Sequence, residues 1–409
     1  MRRFYAAAIC IIFVACQPVL PNPNIFPTPV ASLTSSGLAS VIPSLQSSPS
    51  PSTISLNPAI SLATFSANGI IVTPLAGNRM GGYKDGPALE ARFESPIGKL
   101  CQDRQGNLYI PERTRLRKLS PDGQVSTVAG TSEIGFQDGP ALHAKFKQLS
   151  ACAVDEKDFI YLTDFNNFRI RKLSSEGIIS TFAGSEDYGH QDGSAQEATF
   201  QTLDDLVVDQ KNKRLIVITA GQALRAIDLA TGRVSTLTNP RREKGFKDGL
   251  LLDDALLGIT LYLTIDADSS TLFLLDFGNR AIRQIKAGYL STLAGGKPVS
   301  DYVDDFGKQA RFDLPLGFDF EPERQLIFVA EKEAVRLVSL SGRVTTLALP
   351  GQVGSQNTIL GEITSVFVKN KNTLIVTATG NPQNQQLKAN FYTITLPDGP
   401  LPEIVTSRY

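Results

Sequence analysis

One six-residue segment recurs along most of this chain at a nearly constant interval. Its clearest copies, at 125–130, 179–184 and 290–295, read apolar-Ser-Thr-apolar-Ala-Gly. Weaker copies precede, separate and follow them, and the six copies end at residues 77, 130, 184, 239, 295 and 349. Successive copies therefore end 53, 54, 55, 56 and 54 residues apart. So regular a period indicates stacked copies of one structural unit.

Each unit has the same internal order. An Asp-Gly loop comes first, followed by a short Ala-x-Phe piece and two apolar strands joined by a turn that holds a carboxylate. A third strand carries an arginine, and a glycine turn leads to the recurring segment. The arginines are Arg117, Arg171, Arg225, Arg283 and Arg336. Short strands separated by turn residues, without long amphipathic helices, predict an all-β fold in which each unit is a four-stranded blade.

The unit that begins at Asp155 resembles an NHL repeat. It has a strand ending in Asp164, then Asn166, Asn167 and the pair Arg169-Ile170. This resemblance runs from about residue 69 to residue 409 and weakens in the last unit. It implies a six-bladed β-propeller of four-stranded antiparallel blades over 69–409.

A propeller has to close its ring, because an open ring exposes strand edges. Two segments could supply the outermost strand of the last blade, namely residues 70–75 and residues 403–407. We expect the first to fill this position, and the second to lie outside it or to cap the blade.

The first 68 residues predict export and a tether. Residues 1–16 have two arginines and then an apolar run shorter than the about 20 residues of a spanning helix. The run ends in Val-Ala-Cys16, which resembles a lipoprotein signal peptide with Cys16 as the lipid attachment site; a plain secretory signal is the alternative. Residues 17–68, rich in Pro, Ser and Thr, predict a disordered linker. Because Gln17 is not the Asp of inner-membrane retention, we expect a cell-envelope protein on the outer membrane or cell surface.

Composition argues against several classes of function. Forty basic residues balance forty acidic ones without a basic run, so no nucleic-acid partner is expected. With two histidines and no CxxC pair, we expect no catalytic residues, no metal and no cofactor. Cys101 and Cys152 fall in the first strands of adjacent units; we expect buried apolar residues, although export would permit a disulfide.

The repeated polar residues have structural explanations. Each Asp of an Asp-Gly loop can cap a turn, and a ring of such residues binding Ca²⁺ is the alternative. The aromatic residue of each loop is expected to pack between blades. We expect the strand arginines to form ion pairs with carboxylates at the ends of neighbouring strands, namely Glu112, Asp164, Asp276 and Glu331.

Strand direction predicts which face carries the long loops. The Asp-Gly loops between blades and the turns between second and third strands, such as 165–168, leave a propeller on the same face. Loops on a rigid scaffold are frequent binding sites. We therefore predict that the ligand contacts are Phe165, Asn166, Phe168, His190 and Phe277.

These features favour a membrane-anchored binding or scaffold propeller, monomeric, that holds a protein, peptide or glycan on its loop-rich face. The alternative is an enzyme, because the metal-dependent lactonases and the lyases that resemble NHL propellers place irregular polar residues around the central channel. A role in docking a neighbour within a membrane complex is a third hypothesis.

Overall fold

The computed structural model describes residues 65–78, 80–95, 97–238, 243–296, 302–350, 352–353, 356–357, 360–378, 390–401 and 403–404. Met1–Ser61 and Leu62–Tyr409 separate as two units, and every described residue belongs to the second. The signal peptide with Cys16, and all of the linker before residue 65, therefore lie outside the described residues. Within the described ranges, no helix is long and apolar enough to cross a bilayer.

Six antiparallel sheets form the blades of a propeller, as the repeat predicts. In each blade we call the strands a to d from the innermost outward. Blade 1 consists of Cys101–Gln102, Leu108–Pro111, Arg115–Leu119 and Gln124–Gly130; blade 2 of Leu149–Val154, Ile160–Asp164, Arg169–Leu173 and Ile178–Ala183; blade 3 of Leu203–Asp209, Arg214–Thr219, Ala223–Asp228 and Val234–Thr236. Blade 4 consists of Thr260–Asp266, Thr271–Asp276, Ala281–Lys286 and Tyr289–Gly295; blade 5 of Pro315–Glu321, Leu326–Glu331, Ala334–Ser339 and Val344–Leu347; blade 6 of Ile363–Asn370, Thr373–Ala378, Phe391–Thr395 and Ile70–Ala76.

Five blades gain a short fifth strand outside strand d. The residues after the Asp of the Asp-Gly loop supply it in blades 1, 2 and 4, as Gly86–Pro87, Gly139–Pro140 and Gly249–Leu250. Gln352–Val353 and Gln356–Asn357 form a separate pair. The helical segments of the described chain are single 3₁₀ turns, Ala141–His143, Phe165–Asn167, Phe277–Asn279 and Gly307–Gln309. The described chain thus has the all-β architecture that the sequence predicts.

The N-terminal strand closes the ring, as expected. Ile70–Ala76 pairs antiparallel with Phe391–Thr395 and becomes strand d of blade 6. Phe65–Ala67, at the end of the predicted linker, turns back through Asn68 and Gly69 at positive φ and pairs with it. An Asn-Gly pair favours a two-residue hairpin, which explains why this edge gains a strand.

The C-terminal strand lies elsewhere than we expected. Glu403–Ile404 pairs with Val344–Leu347, so it extends blade 5 and neither covers nor caps blade 6. The outer edge of blade 6 is already paired with Phe65–Ala67, whereas strand d of blade 5 would have an unpaired outer edge without the C-terminal strand. The prediction failed because pairing partners outside a blade are not encoded in the repeat.

The hydrophobic core is divided among the blade interfaces. Six clusters of buried apolar side chains each draw residues from two neighbouring blades, including one between blades 5 and 6 and one between blades 6 and 1. Phe391 of blade 6 and Phe93 before blade 1, for example, meet edge to face with ring centroids 5.0 Å apart. Continuous packing around the circle shows that the ring is closed.

The recurring Ala-Gly has a steric cause. Gly130 ends strand d of blade 1 at φ 89°, and a Cβ atom there would collide with the carbonyl oxygen of Thr114. Gly184 and Gly295 meet the equivalent carbonyls at φ 101° and 81°. Only glycine fits this combination of positive φ and close backbone approach, so this position retains it in several repeats.

Candidate functional site

The loop-rich face is built on buried arginines. Arg117, Arg171, Arg225, Arg283 and Arg336 project from strand c of blades 1 to 5, and each is fully buried. Each donates hydrogen bonds to a backbone carbonyl of the loop entering its blade and to that loop's carboxylate; this loop is an Asp-Gly loop in blades 1 to 4, whereas in blade 5 Asp304 is followed by Asp305. The arginine therefore fixes each loop above its blade.

Four of these arginines also contact a buried carboxylate at the end of strand b. The ion pairs are Arg117–Glu112, Arg171–Asp164, Arg283–Asp276 and Arg336–Glu331, with N–O distances of 2.9, 2.9, 3.0 and 2.7 Å. This confirms the predicted pairing. Burial raises the pKa of Glu112 to about 7, against the opposing effect of Arg117.

The loop aspartates do more than cap turns. In blade 1, Asp85 accepts hydrogen bonds from Arg117 at 2.6 Å and from the backbone amide of Thr127, on strand d, at 3.0 Å. Asp138, Asp192 and Asp248 contact the arginine and the threonine at the same positions of blades 2 to 4. These carboxylates are committed to cross-linking strands. Among the described residues, no group of three or more His, Cys, Asp or Glu side chains is arranged to hold a metal ion.

The aromatic loop residues stack on the arginines. Tyr83, Phe136, Phe246 and Tyr302 have a guanidinium carbon of their blade's arginine 4.8, 4.8, 4.8 and 4.0 Å from the ring centroid. We expected these rings to pack between blades, but each lies over the blade that its loop enters. In blade 3 the position is His190, whose Nδ1 is 3.5 Å from Arg225. Desolvated cation–π contacts of this kind stabilise the loop conformation.

The predicted contact residues lie on this face but differ in exposure. Phe165 is only 6% exposed, so its ring is packed into the protein. Its backbone amide donates to the carbonyl of Gln148. Asn166 donates to Gln148 Oε1 at 2.8 Å, and Phe168, His190 and Phe277 are half-buried. The structure brings Asn166 and Phe168 together on blade 2, whereas Phe277 belongs to blade 4.

Sequence reasoning missed a more exposed set of apolar residues beside Phe168. Tyr188 is 62% exposed and meets Phe168 edge to face at 5.2 Å. Ile134 and Phe136 are 50% and 46% exposed, and Arg169 lies 4.1 Å above the Phe136 ring. Asn167, which precedes Phe168, links the Phe168–Tyr188 pair to the loop of Ile134 and Phe136, because its side-chain amide donates to the carbonyl of Gly135. We call Ile134, Phe136, Phe168 and Tyr188 the aromatic patch.

The central channel holds a charged cluster that the repeat does not predict. Lys99, just before strand a of blade 1, places Nζ 3.0 Å from Asp205 of blade 3 and also donates to the carbonyl of Leu263 in blade 4. Asp319 of blade 5 accepts from Thr264 at 2.7 Å and from the amide of Val368 in blade 6 at 2.8 Å. The cluster connects inner strands of five blades.

Burial sets the protonation behaviour of this cluster. It raises the pKa of Asp205 and of Asp319, while Lys99 acts in the opposite direction. Burial together with the neighbouring Asp205 raises the pKa of Asp204 to about 7, and the amide of Gly221 donates to this carboxyl at 2.9 Å. Burial, together with the nearby Asp205 and Asp204, raises the pKa of Tyr262 to about 12. Since backbone amides and Lys99 occupy the carboxylates, the cluster cross-links the ring.

Cys101 and Cys152 form a disulfide, which corrects the expectation of two separate buried residues. The bond joins strand a of blade 1 to strand a of blade 2, and the Cα atoms of the two cysteines are 5.6 Å apart. The two strands approach closely because Gly98 lies against Ser150, where a Cβ atom would collide with the Ser150 carbonyl. Lys99 pairs with Ala151 in parallel, so the cysteines are diagonal neighbours.

Relatives that contain NHL repeats support this fold. No protein-family profile matches the chain. NHL repeat-containing protein 2 of Gallus gallus is 23% identical over 320 residues, covering 68% of this chain and 43% of that protein. The chain spans less than half the length of the curated relatives it matches.

Solved structures agree on the architecture. Auxiliary nutrient binding proteins from Bacteroides thetaiotaomicron and Bacteroides ovatus superpose with TM-scores of 0.57 and 0.58, at 16% and 13% identity, each covering 80% of this chain and 76% of the other. At such identity the likeness concerns the fold alone. The chain is a six-bladed β-propeller whose sequence is similar to that of NHL repeat-containing proteins.

Proposed function

We propose that this chain is an extracytoplasmic propeller, anchored to the cell envelope through a lipid on Cys16, that binds a protein, peptide or glycan on its loop-rich face. The observation that carries this proposal is the aromatic patch. Exposed apolar side chains gathered on one surface typically mark a site of interaction. Arg171 and Arg225 hold the loops that carry Phe136 and Tyr188, through the carbonyls of Gln137 and Gln191. The patch is therefore preorganised and loses little entropy on binding.

Two further observations support this role. A disulfide is typical of an exported protein, because the cytosol keeps thiols reduced. The name of the two Bacteroides structures describes binding proteins, which agrees with a binding role for a propeller of this shape. The enzymatic alternative remains a hypothesis, and a metal analysis of the purified chain tests it, since stoichiometric Ca²⁺ or Zn²⁺ would favour an enzyme.

A capture experiment tests the binding role. The full chain is immobilised and exposed to envelope extracts, to peptide libraries and to a glycan array, and the retained ligand is compared between variants. Y188A should reduce retention by about tenfold or more, as expected for an aromatic residue at the centre of an interface. The control is Y289A, which removes a tyrosine of comparable exposure, 48%, at the start of strand d of blade 4, where the opposite face lies.

Different outcomes separate the possible roles of the predicted residues. We expect F168A to lose ligand together with Y188A, and F165A to lower stability instead, because its ring is buried. Equal retention by Y188A, Y289A and the parent chain would contradict a ligand site on the aromatic patch.

A further inference from the structure

A pocket of about 250 Å³ opens between blades 2 and 3 on the face opposite the loop-rich face. Its walls come from the a–b turns of both blades and from the c–d turn of blade 3. The lining includes Phe159, Tyr161 and Lys172 from blade 2, and Lys213, Leu229 and Ala230 from blade 3. It therefore combines apolar walls with basic groups, at a place unrelated to the aromatic patch.

Lys172 is held against aromatic rings. Its Nζ is 3.5 Å from the centroid of Phe159, 5.6 Å from that of Tyr161 and 5.8 Å from that of Phe182. Within the part of the chain that the structure describes, no side chain or carbonyl accepts a hydrogen bond from this ammonium group, and none forms an ion pair with it. Desolvation lowers the pKa of Lys172. The ring contacts position the charge without supplying a hydrogen-bond acceptor.

Asp155, the buried one of the two acids in the lining, is already committed to its own turn. Asp155 accepts from the backbone amides of Lys157 and Phe159 at 2.8 and 3.0 Å, and from the Tyr161 hydroxyl at 3.2 Å. Its carboxylate is thus oriented toward the turn, although its charge still stabilises the ammonium of Lys172. Lys157, Lys213 and Glu156 are exposed at the rim, so the lining carries three lysines, including Lys172, against two acids.

We propose that this pocket binds a small ligand that carries one carboxylate or phosphate group on an apolar body. The anionic group would accept hydrogen bonds from Lys172 and, at the rim, from Lys213. The apolar body would pack on Phe159 and Leu229. Hydrogen bonds between charged groups are the stronger ones, and they gain further in a partly desolvated site. This inference is independent of the function proposed for the loop-rich face.

Blade 1 supplies a matched control. Lys118 occupies the register position of Lys172, opposite Tyr109 as Lys172 is opposite Tyr161. The position of Phe159 is Asn107 in blade 1, and its side chain donates to Asp103 at 2.8 Å, so the aromatic wall is missing there. A lysine of the same kind is thus present without the pocket wall.

Calorimetric titration of the full chain with benzoate, phenyl phosphate and benzyl alcohol tests the proposal. At least one anion should bind about tenfold or more tightly than the neutral alcohol, because a hydrogen bond to a charged group contributes enough free energy for a change in affinity of this size. K172M should lose this difference in affinity. K118M should bind like the parent chain. The two anions distinguish a carboxylate site from a phosphate site.

Three results would overturn the proposal: no binding of either anion by the parent chain, equal binding of the alcohol, or an equal loss in K118M and K172M. Circular dichroism establishes that each variant is folded. K213M, changed at an exposed position, provides the second variant and should weaken binding of the same anion; if K172M does not fold, unchanged affinity in K213M refutes the site.

Discussion

Replacing the buried arginines of blades 2 and 3 by methionine measures how a carboxylate at the end of strand b affects the free energy of unfolding. Arg171 and Arg225 have similar surroundings, apart from the loop position where Arg171 stacks on Phe136 and Arg225 faces His190. Each donates to its Asp-Gly loop carboxylate, at 2.5 and 2.6 Å, and each lies 5.1 Å from the ring centroid of a buried phenylalanine. They differ at the end of strand b, where Asp164 pairs with Leu149 and the equivalent Thr219 pairs with Leu203.

The difference predicts unequal costs. R171M leaves the fully buried Asp164 without its cation, which costs about 3–5 kcal/mol of unfolding free energy. R225M leaves the neutral Thr219 and the 45% exposed side chain of Asp192, which water can solvate, so about 1–3 kcal/mol should be lost. Urea unfolding of the full chain, followed by circular dichroism, measures both values.

The pH dependence of stability provides a second test of the same reasoning. Burial raises the pKa of Asp164, and removing Arg171 should raise it further. Between the unfolded pKa near 3.8 and the raised native value, the native state binds more protons, so stability increases as pH falls. The loss in R171M should therefore shrink at pH 5 relative to pH 8, while that in R225M changes less. Equal losses in the two variants at both pH values would refute the argument.

Three further predictions follow from other parts of the ring. C101S/C152S should lose about 4 kcal/mol of unfolding free energy, because a cross-link over 51 residues restricts the unfolded chain; an unchanged urea midpoint would contradict this. Asp204, with its pKa raised to about 7 against a model-peptide value of 3.8, should make the parent chain less stable as pH rises from 4 to 7, and D204N should flatten that dependence in urea titrations. C16S should release the protein from membranes into the soluble fraction on cell fractionation, and continued sedimentation with membranes would argue against a lipid on this residue.

The repeat made the regular features of this fold predictable. The blade number, the strand order and the partners of the arginines all follow from residues that occupy the same place in each unit. Closure by Ile70–Ala76 was predictable for the same reason, since that segment carries the pattern of strand d.

The features that occur once were not predictable in this way. Lys99 contacts Asp205 and Leu263, which lie 106 and 164 residues further along the chain, and their proximity depends on the closed ring. The aromatic patch joins a turn of blade 2 to the loop entering blade 3, so its continuity depends on how neighbouring blades pack. A pattern within one unit contains no information about such contacts.

Closure by the first strand has a consequence for the order of assembly. Ile70–Ala76 is synthesised before every blade, yet its partner Phe391–Thr395 is synthesised after almost all of them. While five blades form, this strand has only Phe65–Ala67 to pair with, and its partner within blade 6 is still missing. Since distant pairings are the slow ones, the joining of these two strands should be the last and slowest step in folding. A chain truncated before residue 391 would retain its early blades and expose the edges that this joint conceals.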